Sequence, residues 1–251
     1  MSRARAAVSA VLLLSGASAR GAAPAVEPAA MLRRADATYE SFQEGVVRLR
    51  VLVNERGKKP AASTLELFLA GTDRSLVVFR EGKQKGRKIL TQGDRVFLIV
   101  PGASRPIPVS KTQRLMGAAS FGDIARLRLA DEYDATLRPG EERIAAAPRE
   151  ISCRVLDLAA KRPGSAYPTA VLWVGREDGL ARRLRLFLAS GKDAKDVVFT
   201  GYDAEHRIAT MEIRDLLTAG GANVTNLVFE RYEKRPLDPA MFDPEGARAV
   251  P

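Results

Sequence analysis

Apolar and polar residues alternate with a period of two in one short segment after another, and this recurrence restricts the fold more than any other feature of the chain. Val47, Leu49, Val51 and Val53 alternate with Arg48, Arg50 and Leu52, the pattern of a half-buried strand. The turn Glu55-Arg56-Gly57-Lys58-Lys59-Pro60 leads into Leu65, Leu67 and Leu69 interleaved with Thr64, Glu66 and Phe68, so the two runs predict an antiparallel hairpin. Further strands are expected over 75–80, 88–92, 95–100, 132–137, 150–158, 169–174, 182–188, 196–202, 207–216 and 224–232. Ten to twelve strands on short polar turns favour meander pairing over crossovers through helices, because parallel pairing needs a long connection. Strand twist accumulates across so many strands, and a sheet of this size curls or closes. A chain of 251 residues accommodates this as one domain.

A curled sheet needs something on its concave face. Residues 26–43 place Leu32, Ala35, Tyr39 and Phe42 at helical spacing, with Arg33, Arg34, Asp36 and Glu40 between them, and predict an amphipathic helix. Residues 111–130 break the strand rhythm with Leu115, Met116, Phe121, Ile124 and Leu127, and are expected to form one or two short helices with a loop. Alternation defines two faces of a strand but not which of them is concave. A filled core and a ligand cavity fit the pattern equally well.

The chain starts with Arg3 and Arg5, continues through an uncharged run from Ala6 to Ala19 and reaches the small residues Ala17-Ser18-Ala19, the grammar of a cleaved export signal. The run is too short to span a bilayer, which takes about 20 apolar residues. The expected boundaries are a signal peptide over 1–19 and one domain over 20–251; a cut near Ala23 and an uncleaved amphipathic start are the alternatives. Cleavage would take the net charge from +10 to +8. An exported protein of this charge meets anionic lipid or acidic proteins rather than nucleic acid.

One Cys and one His exclude an internal disulfide, a multi-cysteine zinc site and any two-histidine metal motif. The nucleophile elbow, the phosphate loop, the dinucleotide-binding glycine motif and the HExxH zinc motif are all missing from the sequence. Glu141-Glu142 and Asp131-Glu132 are expected in turns as solvated charges. Cys153 shares a strand side with Ile151 and Val155 and reads as a buried free thiol, His206 sits in a surface turn, and Trp173 reads as core packing. A basic turn spans Glu81 to Lys88.

The stretch from Leu90 to Leu137 resembles the middle of the LolA-like outer-membrane lipoprotein-sorting proteins. Pro101, Arg105, Ser110, Gln113, Arg114, Met116, Gly117, Phe121 and Asp123 carry the likeness. Cys153 in its strand, YPTAVLWV from Tyr167, RRLRLFLASGK from Arg182 and RPLDPAMFDP from Arg235 follow in the family's order. Ser120 stands where the family usually places an aspartate before the loop aromatic, with Asp123 two residues after Phe121.

The resemblance implies a mainly β fold with a few helices: a strongly curved antiparallel sheet, or incomplete β-barrel, with a helical lid, of LolA/LolB type. It implies a periplasmic carrier, not an enzyme, that shields acyl chains or a lipid-like cargo and needs no cofactor and no metal. Its partners would be a lipid or acylated lipoprotein cargo, an inner-membrane export transporter and an outer-membrane acceptor, and the protein would be a monomer. The alternative of the same fold is an envelope-stress sensor or regulatory binding module; an exported hydrolase has no positive sign in the sequence. Val47, Leu49, Val51, Leu67, Val78 and Phe97 are the candidate lining from the first half. Trp173 and Leu186 are added from the second half, and Met116, Phe121 and Ile124 are the candidate lid.

Overall fold

The computed structural model describes residues 27–40, 42–71, 73–110, 114–120, 128–146, 149–218 and 221–251. The signal segment, Phe121 and Ile124 lie outside them. The helix expected over 26–43 forms as α1 (Pro28–Glu40). The alternating runs then form β1 (Glu44–Asn54), β2 (Ala61–Ala70), β3 (Arg74–Phe79), β4 (Lys88–Gln92) and β5 (Arg95–Ile99). Two elements follow that the alternation does not announce: the short β6 (Ile107–Val109), and a hairpin of β7 (Arg114–Met116) with β8 (Ala119–Ser120). Over 114–120 that hairpin stands where helix or loop was expected, and Leu129–Glu132 forms a single helical turn; residues 111–113 and 121–127 of the segment lie outside the described residues.

The second half supplies β9 (Tyr133–Leu137), β10 (Glu142–Ala146), β11 (Arg149–Ala160), β12 (Thr169–Gly175), β13 (Ala181–Phe187), β14 (Asp193–Tyr202), β15 (Ile208–Asp215) and β16 (Asn223–Glu233). A 3-10 turn Pro239–Phe242 and a short helix Pro244–Ala249 complete the described chain. Glu141 lies in the loop before β10 and Glu142 opens that strand, Asp131-Glu132 lie in the single helical turn rather than a loop turn, and all four acids are exposed as expected of solvated charges.

Fourteen strands form one antiparallel sheet in the order β10 to β16, then β1 to β6, with β9 also pairing β11. Each half is a meander, as short turns require, and the two halves meet where β16 pairs β1. Strands lie 4.7–4.9 Å apart, so the sheet would be roughly 60 Å wide if flat. That exceeds the roughly 45 Å diameter of a compact chain of this length, so the sheet must curve. It curves without closing. One open edge is β6, where Pro106 and Pro108 withhold backbone donors and so blunt further pairing.

The curved sheet carries one long apolar face. Leu49 and Val51 of β1, Leu65 and Leu67 of β2, and Val77 and Phe79 of β3 are buried on it. Leu156, Leu172, Leu184, Ile213 and Leu227 continue it across the other half. Met31, Leu32 and Ala35 of α1 pack onto the same face, as do Met116, Ala118 and Ala119 of the β7–β8 hairpin. This covered face is the inner one. The outer face bears a smaller cluster around Leu76, Val78, Leu90 and Phe242. A third cluster holds Cys153, Val155, Val171 and Trp173.

Candidate functional site

The inner face is built from the odd or the even positions of each strand, according to register. In β1 the residues 47, 49, 51 and 53 face inward, while Arg48 and Arg50 face outward toward Glu230 of β16 at 3.6 and 3.4 Å. In β12 the inward residues are Ala170, Leu172 and Val174. A bulge at Glu230 of β16, opposite Arg48 and Leu49, and others in β13, β14 and β15 adjust which residues point inward along the curved strands.

Two covers sit on this face. The first is α1, tied at its edge by Asp36, whose Oδ2 accepts from the Ala130 amide at 2.5 Å, and by Arg34, which donates to the Asp178 carbonyl at 3.3 Å. The second is the β7–β8 hairpin, whose turn lies across β1 and β16. There the Ala118 amide donates to Thr225 Oγ1 at 2.8 Å, and Gly117 adopts φ +54 beside Val53 and Thr225. Thr225 is fully buried, and Ala118 gives its hydroxyl the partner that a buried polar group needs. Among its described side chains the hairpin contributes Met116 and the small apolar groups of Ala118 and Ala119, and the two strands form a sheet of their own.

An aromatic corner closes one end of the inner face. Phe42 meets Tyr232 edge to face at 5.5 Å, Phe229 stacks on Tyr232 at 6.1 Å, and the Arg207 guanidinium lies 4.6 Å from the centre of the Tyr232 ring. The Tyr232 hydroxyl donates to the Ile208 carbonyl at 2.7 Å, and burial holds that phenol well above its ordinary pKa. Burial likewise pushes the Tyr133 phenol up to about 12, and its hydroxyl donates to the Tyr167 carbonyl at 2.8 Å. Neither tyrosine is poised for proton transfer near neutral pH.

Of the residues singled out from the sequence, Val47, Leu49, Val51, Leu67, Leu186 and Met116 come together in the inner cluster. Val78 and Phe97 do not: they pack on the outer face against the C-terminal segment around Phe242. Trp173 belongs to the third cluster, where its Nε1 donates to Glu142 at 2.8 Å and Arg183 stacks 5.5 Å from the ring centre. The reason is register: Trp173 and Leu172 are neighbours in β12, and the inner face takes Leu172. Sequence reasoning passed over Leu172, Leu156, Leu184 and Ile213, although each belongs to the alternation of its own strand.

Cys153 is fully buried with Ile151 and Val155 beside it, as its strand position suggests. Burial first, despite the nearby Arg182 charge, pushes its thiol up to about 11, which keeps it protonated and unreactive at neutral pH. Glu141 and Glu142 are engaged in separate contacts: Glu141 accepts from Ser152 Oγ at 2.6 Å and pairs with Arg176 at 3.0 Å, while Glu142 holds Trp173. Among the described residues no group of three or more His, Cys, Asp or Glu is arranged to hold a metal ion, and no helix is long and apolar enough to cross a membrane.

Known structures share this architecture. A LolA superfamily protein from Nitrosomonas europaea superposes with a TM-score of 0.77 at 23% identity, covering 88% of this chain and all of its own. A DUF1329 family protein from Desulfovibrio piger gives 0.72 at 22% identity, over 87% of this chain and 96% of that one. A domain from Vibrio parahaemolyticus assigned to outer-membrane lipoprotein sorting gives 0.68 at 16% identity, over 86% and 97%. No curated protein matches the sequence. A family model described only as that of an uncharacterized protein matches residues 71–246. The chain belongs to the family matched over residues 71–246, and its fold, the open, curved sheet described above, is LolA-like.

Proposed function

We propose that this protein is an exported carrier that shields an acyl chain, or a lipid-like cargo, against the inner face of its open sheet. The observation that carries this reading is the continuity of that face. Apolar side chains run across both meanders without a strand that closes the curve, and the cover comes from α1 and a small hairpin outside the main sheet. A carrier needs buried apolar area rather than a reactive group, since each methylene taken from water contributes about 0.8 kcal/mol. Val47, Leu49, Val51, Leu67 and Leu186 would line the cargo site. Met116, with Phe121 and Ile124 from the segment that follows, would form the part that yields to cargo.

In this reading residues 1–19 direct export, residues 20–251 act in the periplasm as one domain, and no step is catalytic. The cargo is a lipid or an acylated protein, received from an inner-membrane transporter and passed to an outer-membrane acceptor by a monomer that does not bind nucleic acid. The fold shared with a domain assigned to lipoprotein sorting supports the choice of cargo class. Mass spectrometry of an organic extract of the purified protein tests it. Acyl-bearing molecules at near-stoichiometric amounts are expected; protein that carries none, and that takes up none from a mixed-lipid incubation, would contradict the carrier reading.

A further inference from the structure

The basic turn from Glu81 to Lys88 has no part in the cargo site. It connects β3 to β4 on the outer face, where the helix Pro244–Ala249 and the residues after it pack back onto the sheet. Between them lies a cavity of about 740 Å³, within the size range of small-molecule sites. Its wall is apolar at Val78, Ile99, Pro101 and Val250, and it carries four cations, Arg80, Lys85, Lys88 and Arg248, against the single acid Glu245.

Two of the cations meet carboxylates, Arg80 at Glu66 and Arg248 at Glu245, whereas Lys88 meets backbone oxygens. Lys88 is 7% exposed, and its Nζ donates to the carbonyls of Arg248 at 2.7 Å and of Val250. Arg80 pairs with Glu66 at 2.6 Å and also donates to the Pro251 carbonyl. Arg248 donates to the carbonyls of Ser104 at 3.0 Å and Ala103 at 3.3 Å, with Glu245 at 3.4 Å. A buried ammonium usually has a carboxylate beside it. Lys88 has neutral carbonyls, and its pKa is held below the usual lysine value by burial first and by the Arg80 charge second. Glycines shape the opening: Gly86 sits at φ +82, and a Cβ there would press on Pro101 Cγ at 3.0 Å. The cavity thus combines an apolar wall with excess positive charge and an entrance that side chains would narrow.

We propose that this cavity binds a phosphate group, with Arg80, Lys85, Lys88 and Arg248 as its cation set. Such a group reaches the protein either as the ester of a lipid headgroup or as free phosphate. Only the ester would bring an organic body to use the apolar wall. The site is independent of acyl binding on the inner face, so a probe without an acyl chain separates the two.

Isothermal titration calorimetry of the full chain with glycerol 3-phosphate and with inorganic phosphate, at fixed salt, tests the proposal. Saturable one-to-one binding is expected. Lys85→Glu, at an exposed position, should weaken it about ten-fold by reversing one charge. Lys192→Glu, at an exposed position in the β13–β14 turn of the other meander, makes the same change in net charge and should leave it unaltered. Tighter binding of the ester assigns the site to a headgroup, and equal binding assigns it to free phosphate. The proposal is overturned if neither probe gives saturable heat, or if Lys192→Glu weakens binding as much as Lys85→Glu does.

Discussion

Valine at position 117 is expected to lower the melting temperature by about 5–10 °C while raising the affinity for an acyl probe about ten-fold. Gly117 turns the β7–β8 hairpin at φ +54, a conformation that a β-branched residue adopts only under strain. A Cβ there would strike Thr225 Oγ1, the acceptor that anchors Ala118, and would lie 2.7 Å from Val53 Cγ1. Strain and overpacking together cost about 2–5 kcal/mol, borne by the docked hairpin. If that hairpin competes with cargo for the inner face, whatever undocks it raises the fraction of protein ready to bind. Thermal melts and titration with a fluorescent fatty acid read the two effects separately. A lower melting temperature with unchanged affinity would make the hairpin a permanent part of the core.

Alanine at position 45 is expected to destabilise the protein more, by about 4 kcal/mol, with no compensating gain in binding. Gly45 opens β1 at φ +137, and a Cβ there would run into the carbonyl oxygen of Glu233 on β16 and lie 2.7 Å from Phe42 Cζ. The obstacle is backbone, which cannot rotate aside as the tip of a long side chain can. The seam matters because β1 and β16 join the two meanders. Pushing them apart at this point disturbs both halves and the aromatic corner of Phe42 and Tyr232. Chemical denaturation should show a lower midpoint; a midpoint equal to that of the unaltered protein would mean that the seam yields more readily than its contacts imply.

The meander was legible because β1 buries residues in the order its alternation states, and because short turns leave antiparallel pairing as the only economical connection. The faces were less legible. In β3, Leu76, Val77, Val78 and Phe79 are all buried, since the C-terminal segment covers the outer face where the sequence reading has solvent. With both sides apolar, period two no longer tells inside from outside, and Val78 and Phe97 went to the wrong one. The C-terminal helix that covers the outer face is not legible because Pro244–Ala249 has six residues, too few to show a helical period. The β7–β8 hairpin is illegible for the same reason, its strands being three and two residues long. The LolA resemblance places a lid within 111–130 but does not imply that residues 114–120 pair as a hairpin.

Methyl-resolved NMR with a fatty acid carrying a nitroxide at mid-chain tests the central claim most directly. Val51, Leu67 and Leu186 on the inner face should lose signal intensity as the spin-labelled chain binds, while Val78 and Leu90 on the outer face keep theirs. Broadening of Val78 and Leu90 with sharp inner-face methyls would place the acyl chain on the other side of the sheet and contradict the account.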